Sequence, residues 1–137
     1  MLTNVPLMAV PLIAYNLVVL GFVGGGSPDP WTAEVLTMTM VSGATWRMDL
    51  GDLMIALGLF LLFFEIVKAT RVGADTIIDH LLSTLVFIAY LVEFLLVESA
   101  ANSVFFLLMA ITFVDVVAGF TVSIRSASRD VNVGGHY

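Results

Sequence analysis

Four apolar stretches of about 20 residues each make up most of this 137-residue chain, near residues 5–23, 52–70, 76–97 and 103–124. A helix of about 20 residues rises about 30 Å, which matches the thickness of the hydrocarbon core of a bilayer. The composition agrees, because 60% of the residues are hydrophobic and only 12% are charged. An average soluble domain is far less apolar. The sequence therefore predicts an all-α membrane protein, a four-helix transmembrane bundle.

The few basic residues predict how this bundle is oriented. Lys68 and Arg71 lie between spans two and three, and Arg125 and Arg129 follow span four. Cytoplasmic loops carry an excess of lysine and arginine, so both of these ends are predicted to be cytoplasmic. The orientation is then N-in/C-in, with an outer loop at residues 24–51.

The chain is expected to form a single domain, with spans in residues 1–125 and a polar cytoplasmic tail at 126–137. A signal peptide is the alternative interpretation of the first stretch, because small residues follow it at 24–27. No lysine or arginine precedes the stretch, and Pro6 and Pro11 interrupt it. We therefore expect a retained helix.

The outer loop carries the sequence pattern of a β-hairpin. Apolar residues alternate with threonine from Leu36 to Met40, and Ser42-Gly43 supplies a turn before the extended pattern resumes. A period of two is typical of a strand, so we expect a short extracytoplasmic hairpin over residues 35–49. An interfacial helix competes for the segment before it, because Asp29 followed by Pro30 is a helix start signal. The two elements can follow one another.

The same loop contains both tryptophans of the chain, Trp31 and Trp46. Tryptophan is enriched where a membrane meets water. We interpret both side chains as anchors in the headgroup region rather than as ligand-binding groups.

Several strings of the sequence resemble those of a known group of proteins: SGATW, GDL, KATR, DHLLSTLVF, VEFLLV and DVVAGFTVSIR. Similar strings occur in small four-span inner-membrane proteins of alphaproteobacterial type. That group has no known activity or functional residue. The resemblance implies a bacterial inner-membrane location and no mechanism.

One carboxylate lies in the middle of the fourth stretch. Asp115 is ten residues before Arg125, which is about 15 Å at the helical rise and close to the middle of a bilayer. Counted from the same edge, Asn16 of span one and Ser83 of span three lie at a similar depth. We predict an intramembrane polar cluster in which Asp115 faces the interior, carries a proton and contacts Asn16 or Ser83.

Small and polar residues recur on one face of each of the last three spans. Spacings of three, four and seven place such residues on the same side of a helix. The stripes are Gly51, Gly58 and Glu65 on span two, Asp79, Ser83, Val86, Tyr90 and Glu93 on span three, and Thr112, Asp115, Gly119 and Ser123 on span four. The pattern predicts a polar interior, with close helix packing at Gly51, Gly58, Gly119 and Ser123.

Two interpretations of this interior stay open. Buried ionisable groups in a membrane usually mark an ion or proton path, and the possible path comprises Glu65, Asp79, His80, Tyr90 and Glu93 together with Asp115. Water would have to bridge about 7 Å of that path at Val86. The alternative is a structural role, in which a neutral Asp115 hydrogen-bonds neighbouring helices together.

A metal site is the third possibility, and we do not favour it. Glu65, Asp79 and His80 are at similar depths, and carboxylates with imidazole are ligands for zinc or iron. Glu65 can instead pair with Lys68 three residues later. His80 is more typical of a hydrogen bond between helices, so we expect no metal ion and no cofactor.

The sequence excludes several classes of function. The chain has no cysteine, and it has no nucleophile with a base, no glycine-rich phosphate loop and no HExxH pattern, so we expect no catalytic residues. A net charge of -6 argues against nucleic-acid binding. The expected function is a non-catalytic accessory or self-associating component of an inner-membrane assembly, whose partners are the lipid bilayer and itself or another membrane protein. The alternative is a proton or cation conduit that uses the intramembrane carboxylates.

Overall fold

A computed structural model describes residues 5–21, 29–70 and 74–134, with side chains from 77 to 125 in the last range. Within these residues the fold is mostly helical, as the sequence predicts. The helices are α1 (Ala9–Val19), α2 (Leu50–Lys68), α3 (Ala74–Leu96) and α4 (Ser103–Gly134), and the strands are β1 (Glu34–Thr39) and β2 (Thr45–Asp49). Short 3-10 turns at Pro30–Thr32 and Glu98–Ala100 connect them.

Three of these helices contain segments that are long and apolar enough to cross a membrane, namely Leu50–Lys68, Ile77–Leu96 and Ser103–Arg125. Large hydrophobic side chains cover their outer faces, including Phe60 and Phe63, which are both 62% exposed. Such extensive exposed apolar surface marks contact with a membrane or a partner.

The first apolar stretch differs from the predicted span at 5–23. Its helix α1 has 11 residues and is therefore about 16 Å long, too short to cross a bilayer alone. Pro11 lies in the first turn, where its missing N–H costs no helical bond. Gly21 follows the helix with φ of +89° and donates to the Val18 carbonyl. These two residues confine the helix, because proline favours a start and a left-handed glycine favours an end.

Helix α4 packs against both α2 and α3, and the N-terminal segment runs alongside them. At one end Lys68 Nζ donates to the Val5 carbonyl at 2.9 Å, and at the other the Tyr15 hydroxyl donates to the Ser99 carbonyl at 2.6 Å. We call these the Lys68 end and the Ser99 end. Helix α4 begins at Ser103, close to the Ser99 end, so its C-terminal part lies at the Lys68 end.

The last helix extends further than predicted. Backbone helix continues to Gly134, through most of the segment 126–137 that we expected to be a polar tail. The apolar part ends at Arg125, as the predicted span does. The distribution of hydrophobic residues thus indicates the end of the candidate span, while it does not indicate the end of the helix.

The predicted hairpin is confirmed. Strands β1 and β2 pair antiparallel, with Met38 opposite Trp46, and the Gly43 N–H donates to the Met40 carbonyl at 2.9 Å. Gly43 has φ of +89°, the left-handed conformation that a three-residue hairpin loop requires after its type I turn. The 3-10 turn at Pro30–Thr32 precedes the strands. A short helical turn after Asp29 and a hairpin therefore follow one another in this loop.

The two tryptophans have different surroundings. Trp31 is 6% exposed and stacks on Tyr15 with ring centroids 4.5 Å apart, so it packs inside the protein and is not an exposed anchor. Trp46 on β2 is 45% exposed. The 3-10 turn contains Trp31, whose ring packs against Tyr15 of α1, whereas Trp46 lies on a strand.

The small residues of α2 face α4. A Cβ at Gly51 would lie 2.8 Å from Val104 Cγ2, and a Cβ at Gly58 would lie 3.0 Å from Leu108 Cδ2 and 3.2 Å from Ile111 Cδ1. Both glycines therefore permit close contact between two helices of the same chain.

We expect Gly58→Leu to lower the free energy of unfolding by about 1 to 3 kcal/mol, the usual cost of overpacking a filled interior. The added side chain has to displace Leu108 or Ile111 on α4. Ala56→Leu is the matched control, because Ala56 is exposed on the same helix. Unfolding in mixed detergent micelles measures both variants, and equal losses would contradict the packing assignment.

Candidate functional site

Four ionisable side chains meet near the Lys68 end, and we call them the acid cluster: Glu65, Lys68, Asp79 and Asp115. Helix α2 supplies the first two, α3 supplies Asp79 and α4 supplies Asp115. The three acidic residues are 3%, 7% and 3% exposed, and the lysine side chain is 14% exposed. Three carboxylates and one ammonium group are thus nearly removed from solvent.

Lys68 lies between two of the carboxylates. Its Nζ is 3.0 Å from Glu65 Oε1 and 3.5 Å from Asp79 Oδ1. The contact to Asp79 is an ion pair without a hydrogen bond, because Asp79 Oδ1 has no hydrogen-bond partner among the described residues. Lys68 therefore neutralises Glu65 more fully than Asp79.

Glu65 joins the N-terminal segment to the bundle. Its Oε1 accepts from the Leu7 N–H at 2.9 Å, and its Oε2 accepts from Ser83 Oγ at 3.4 Å. Leu7 lies two residues before α1, which begins at Ala9. Glu65 thus attaches the segment that leads into α1 to helix α2. Sequence periodicity gives no signal for this contact, because 58 residues separate the partners.

Asp115 is the least satisfied member of the acid cluster. Its Oδ2 is buried and has no hydrogen-bond partner in the described part of the chain. The charged groups that act on it are Glu65, Asp79 and Lys68. With two negative neighbours and one positive neighbour, the ionised groups around Asp115 have a net negative charge.

The polar cluster predicted around Asp115 differs from the observed contacts. Asn16 donates to Glu93 Oε2 at 3.2 Å and to the Leu12 carbonyl at 2.9 Å, and Ser83 donates to Glu65. Neither side chain forms a hydrogen bond with Asp115 in the described structure. The prediction assumed a straight helix that starts at the membrane edge, whereas α1 starts at Ala9 and places Asn16 beside Glu93.

A second polar group lies towards the Ser99 end. It consists of Asn16, Tyr90 and Glu93, and we call it the middle group. The fully buried Tyr90 donates its hydroxyl to the Met8 carbonyl at 2.9 Å. Leu7, the residue before Met8, donates to Glu65 of the acid cluster. The two polar groups are therefore attached to successive residues of the chain.

His80 connects α3 to α4 and α2. Its Nε2 lies 2.5 Å from Ser123 Oγ, and Ser123 donates its single hydroxyl proton to the Ala69 carbonyl at 2.7 Å. Ser123 must then accept from His80 Nε2–H, which assigns the tautomer. The ring stacks on Phe120 and lies against Gly119, where an added Cβ would be 3.0 Å from His80 Cε1.

These contacts bear on the metal interpretation. Among the described residues, no three or more His, Cys, Asp or Glu side chains are grouped to hold a metal ion. The Lys68 ammonium already lies between Glu65 and Asp79, where a cation would be attracted. His80 is directed to Ser123, so the three sequence candidates do not converge.

The Ser99 end has a cavity that is lined by both apolar and polar residues. Its volume is about 360 Å³, and its lining includes Asp29, Asp49, Asp52 and Asn102. Asn102 also donates to the Tyr15 hydroxyl, next to the second turn of α1. The cavity thus places acidic side chains at the opposite end of the bundle from the acid cluster.

Comparison of the chain with protein families, curated proteins and solved structures gave no match. The resemblance to alphaproteobacterial four-span proteins therefore stays a prediction. The function has to be inferred from the buried groups themselves.

Proposed function

We propose that this protein is a membrane-embedded proton conduit, with the acid cluster as its proton-binding site. The observation that supports this most is the buried Asp115 carboxylate with its unpartnered Oδ2. Three carboxylates against one ammonium group give a formal charge of -2 when all are ionised. A buried excess charge is costly, so uptake of a proton is favoured. Protonation also converts Asp115 from an acceptor without a partner into a donor.

A proton fits the acid cluster better than a metal cation does. Metal binding requires several oxygen or nitrogen ligands directed at one point, and no such group occurs among the described residues. Lys68 would also repel a metal ion from the space between Glu65 and Asp79. A proton needs only one carboxylate oxygen.

The path we propose runs from the cavity at the Ser99 end, through the middle group, to the acid cluster. Tyr90 and Glu65 bind the adjacent residues Met8 and Leu7, so the distance between the two groups is short. One or two water molecules can carry a proton across such a distance. This route takes the place of the water bridge that the sequence required at Val86.

The self-association interpretation has less support at residue level. It was based on small-residue faces, and three of these residues pack within the chain: Gly51 and Gly58 against α4, and Gly119 against His80. Ser123 bonds Ala69 and His80. These faces are therefore occupied and cannot also pack a second copy.

For the membrane placement, we propose a multi-pass protein of the bacterial inner membrane, oriented N-in/C-in. The contacts from Val5 to Lys68 and from Tyr15 to Ser99 support a first segment that runs along the whole bundle. Lys68 and Arg125 both belong to the Lys68 end, which favours that end as cytoplasmic.

This orientation predicts the labelling of single cysteines in intact cells. An impermeant maleimide is expected to react with Thr45→Cys in the hairpin and not with Ser128→Cys, which becomes reactive only after permeabilisation. The cysteine-free chain makes the background low. Labelling of Ser128→Cys from outside would reverse the proposed orientation.

The proposed activity is tested with purified protein in vesicles that contain a pH-sensitive dye. We impose a potassium gradient, add valinomycin, and expect faster internal pH change than in vesicles without protein. The same vesicles with a sodium indicator are expected to show no sodium entry. Equal pH change in protein-containing and empty vesicles would refute the proposal, and sodium entry would reassign the ion.

A further inference from the structure

The hairpin has one apolar face. In its register Leu36 is opposite Met48 and Met38 is opposite Trp46. Cross-strand partners and alternate residues share a face of a sheet, so these four side chains form one surface, which we call the apolar hairpin face. The opposite face carries Thr37, Thr39, Thr45 and Arg47.

This face is exposed in the isolated chain. Leu36, Met38 and Trp46 are 38%, 47% and 45% exposed. A two-stranded hairpin without a covered face is only marginally stable in water. The pairing of the two strands therefore favours an apolar environment that covers this face.

The hairpin is held at the end of a candidate membrane span. Strand β2 ends at Asp49, which is also the N-cap of α2 and forms a reciprocal capping box with Asp52. The Leu50 N–H donates to the Ala33 carbonyl at 2.9 Å, so the start of β1 and the end of β2 both lie at the first turn of α2. No linker separates the hairpin from the span, and its strands extend only about 20 Å.

The charges of the hairpin are on the other side. Arg47 donates from Nη2 to the Thr32 carbonyl at 3.0 Å and lies 3.8 Å from Glu34 Oε2. The apolar hairpin face has no charged side chain. Its partner is thus recognised by apolar contact and not by electrostatic attraction to anionic groups.

We propose that the apolar hairpin face lies on the bilayer surface at the Ser99 end, with Trp46 in the interfacial layer. Tryptophan prefers this layer, and the hairpin leads without a linker into α2, whose first turns carry the exposed Leu53. The inference depends on the membrane assignment and is independent of the proton path.

Tryptophan fluorescence tests this in vesicles of neutral phosphatidylcholine at a low protein-to-lipid ratio. Trp31→Phe leaves Trp46 as the single tryptophan, and Trp46→Phe leaves the buried Trp31 as an internal control. We expect Trp46 emission to be quenched by lipid brominated on the upper acyl chain and only weakly by iodide in the water. Emission from Trp31 is expected to respond less to both.

Two substitutions at neighbouring positions of β1 test which face of the hairpin contacts the bilayer. Met38→Asn, which is opposite Trp46, is expected to shift Trp46 emission to longer wavelength and to increase iodide quenching. Thr37→Asn on the polar face is expected to change neither. Strong quenching of Trp46 by iodide without quenching by brominated lipid in Trp31→Phe would overturn the proposal. Protection of Trp46 from both quenchers that disappears on further dilution in lipid would also overturn it, because it indicates that a second copy covers the face.

Discussion

Asp115→Asn is expected to abolish proton flux in vesicles while the protein stays folded. The amide keeps the size of the carboxylate and cannot titrate, so the acid cluster loses the group that takes up the proton. Asp115 forms no hydrogen bond in the described structure that the substitution would break. The free energy of unfolding is therefore expected to stay the same or to rise, because a buried charge without a partner is costly.

Thr112→Val is the matched control for this variant. Thr112 is 1% exposed on the same helix and donates only to the Met109 carbonyl at 2.6 Å, and the substitution is nearly isosteric and not titratable. It is expected to leave flux intact with at most a small loss of stability. Unchanged flux in Asp115→Asn would contradict the proposed role of Asp115, and a large loss of stability would indicate that the carboxylate has a structural partner.

Lys68→Met is expected to lower the free energy of unfolding by about 3 kcal/mol, at the lower end of the range for breaking a buried ion pair, because Lys68 is slightly exposed. The substitution leaves Glu65 and Asp79 without their ammonium partner and removes the donor to the Val5 carbonyl. The N-terminal segment then loses one of its attachments to α2. Thermal or detergent unfolding of the purified variant measures the loss.

The double variant Lys68→Met with Glu65→Gln separates the ion pair from other effects of the substitution. Removal of both charges is expected to recover part of the lost stability, which gives a coupling energy in a double-mutant cycle. Arg47→Met is the control for loss of a cation. Arg47 pairs with Glu34 at the surface, where both side chains are more than half exposed, so its loss is expected to cost well under 1 kcal/mol. Equal losses in Arg47→Met and Lys68→Met would contradict a buried pair.

Asp115→Asn and Lys68→Met also distinguish the roles of the residues in the acid cluster. Lys68 and Glu65 hold the N-terminal segment through the Val5 carbonyl and the Leu7 N–H, so their first effect is on stability. Asp115 contributes no such contact, so its first effect is on proton uptake.

The part of this protein that sequence alone determined is its local structure. Three of the four apolar stretches that we predicted to be spans form helices of spanning length, because hydrophobicity and helix rise are properties of consecutive residues. The hairpin was equally predictable, because the alternation from Leu36 to Met40 and the left-handed turn at Gly43 act within a few residues. The shared stripe of Gly51, Gly58 and Glu65 predicts a buried face, and all three are buried.

Only the tertiary structure decided which polar groups meet. Depth along ideal helices placed Asn16 beside Asp115, but Pro11 and Gly21 limit α1 to 11 residues, and Asn16 bonds Glu93 instead. The partners of Glu65 include the N–H of Leu7, which precedes α1 and is 58 residues away in sequence. The partners in such hydrogen bonds are separated by tens of residues in sequence. Which residues become partners depends on the tilt and length of the packed helices, which no local pattern encodes.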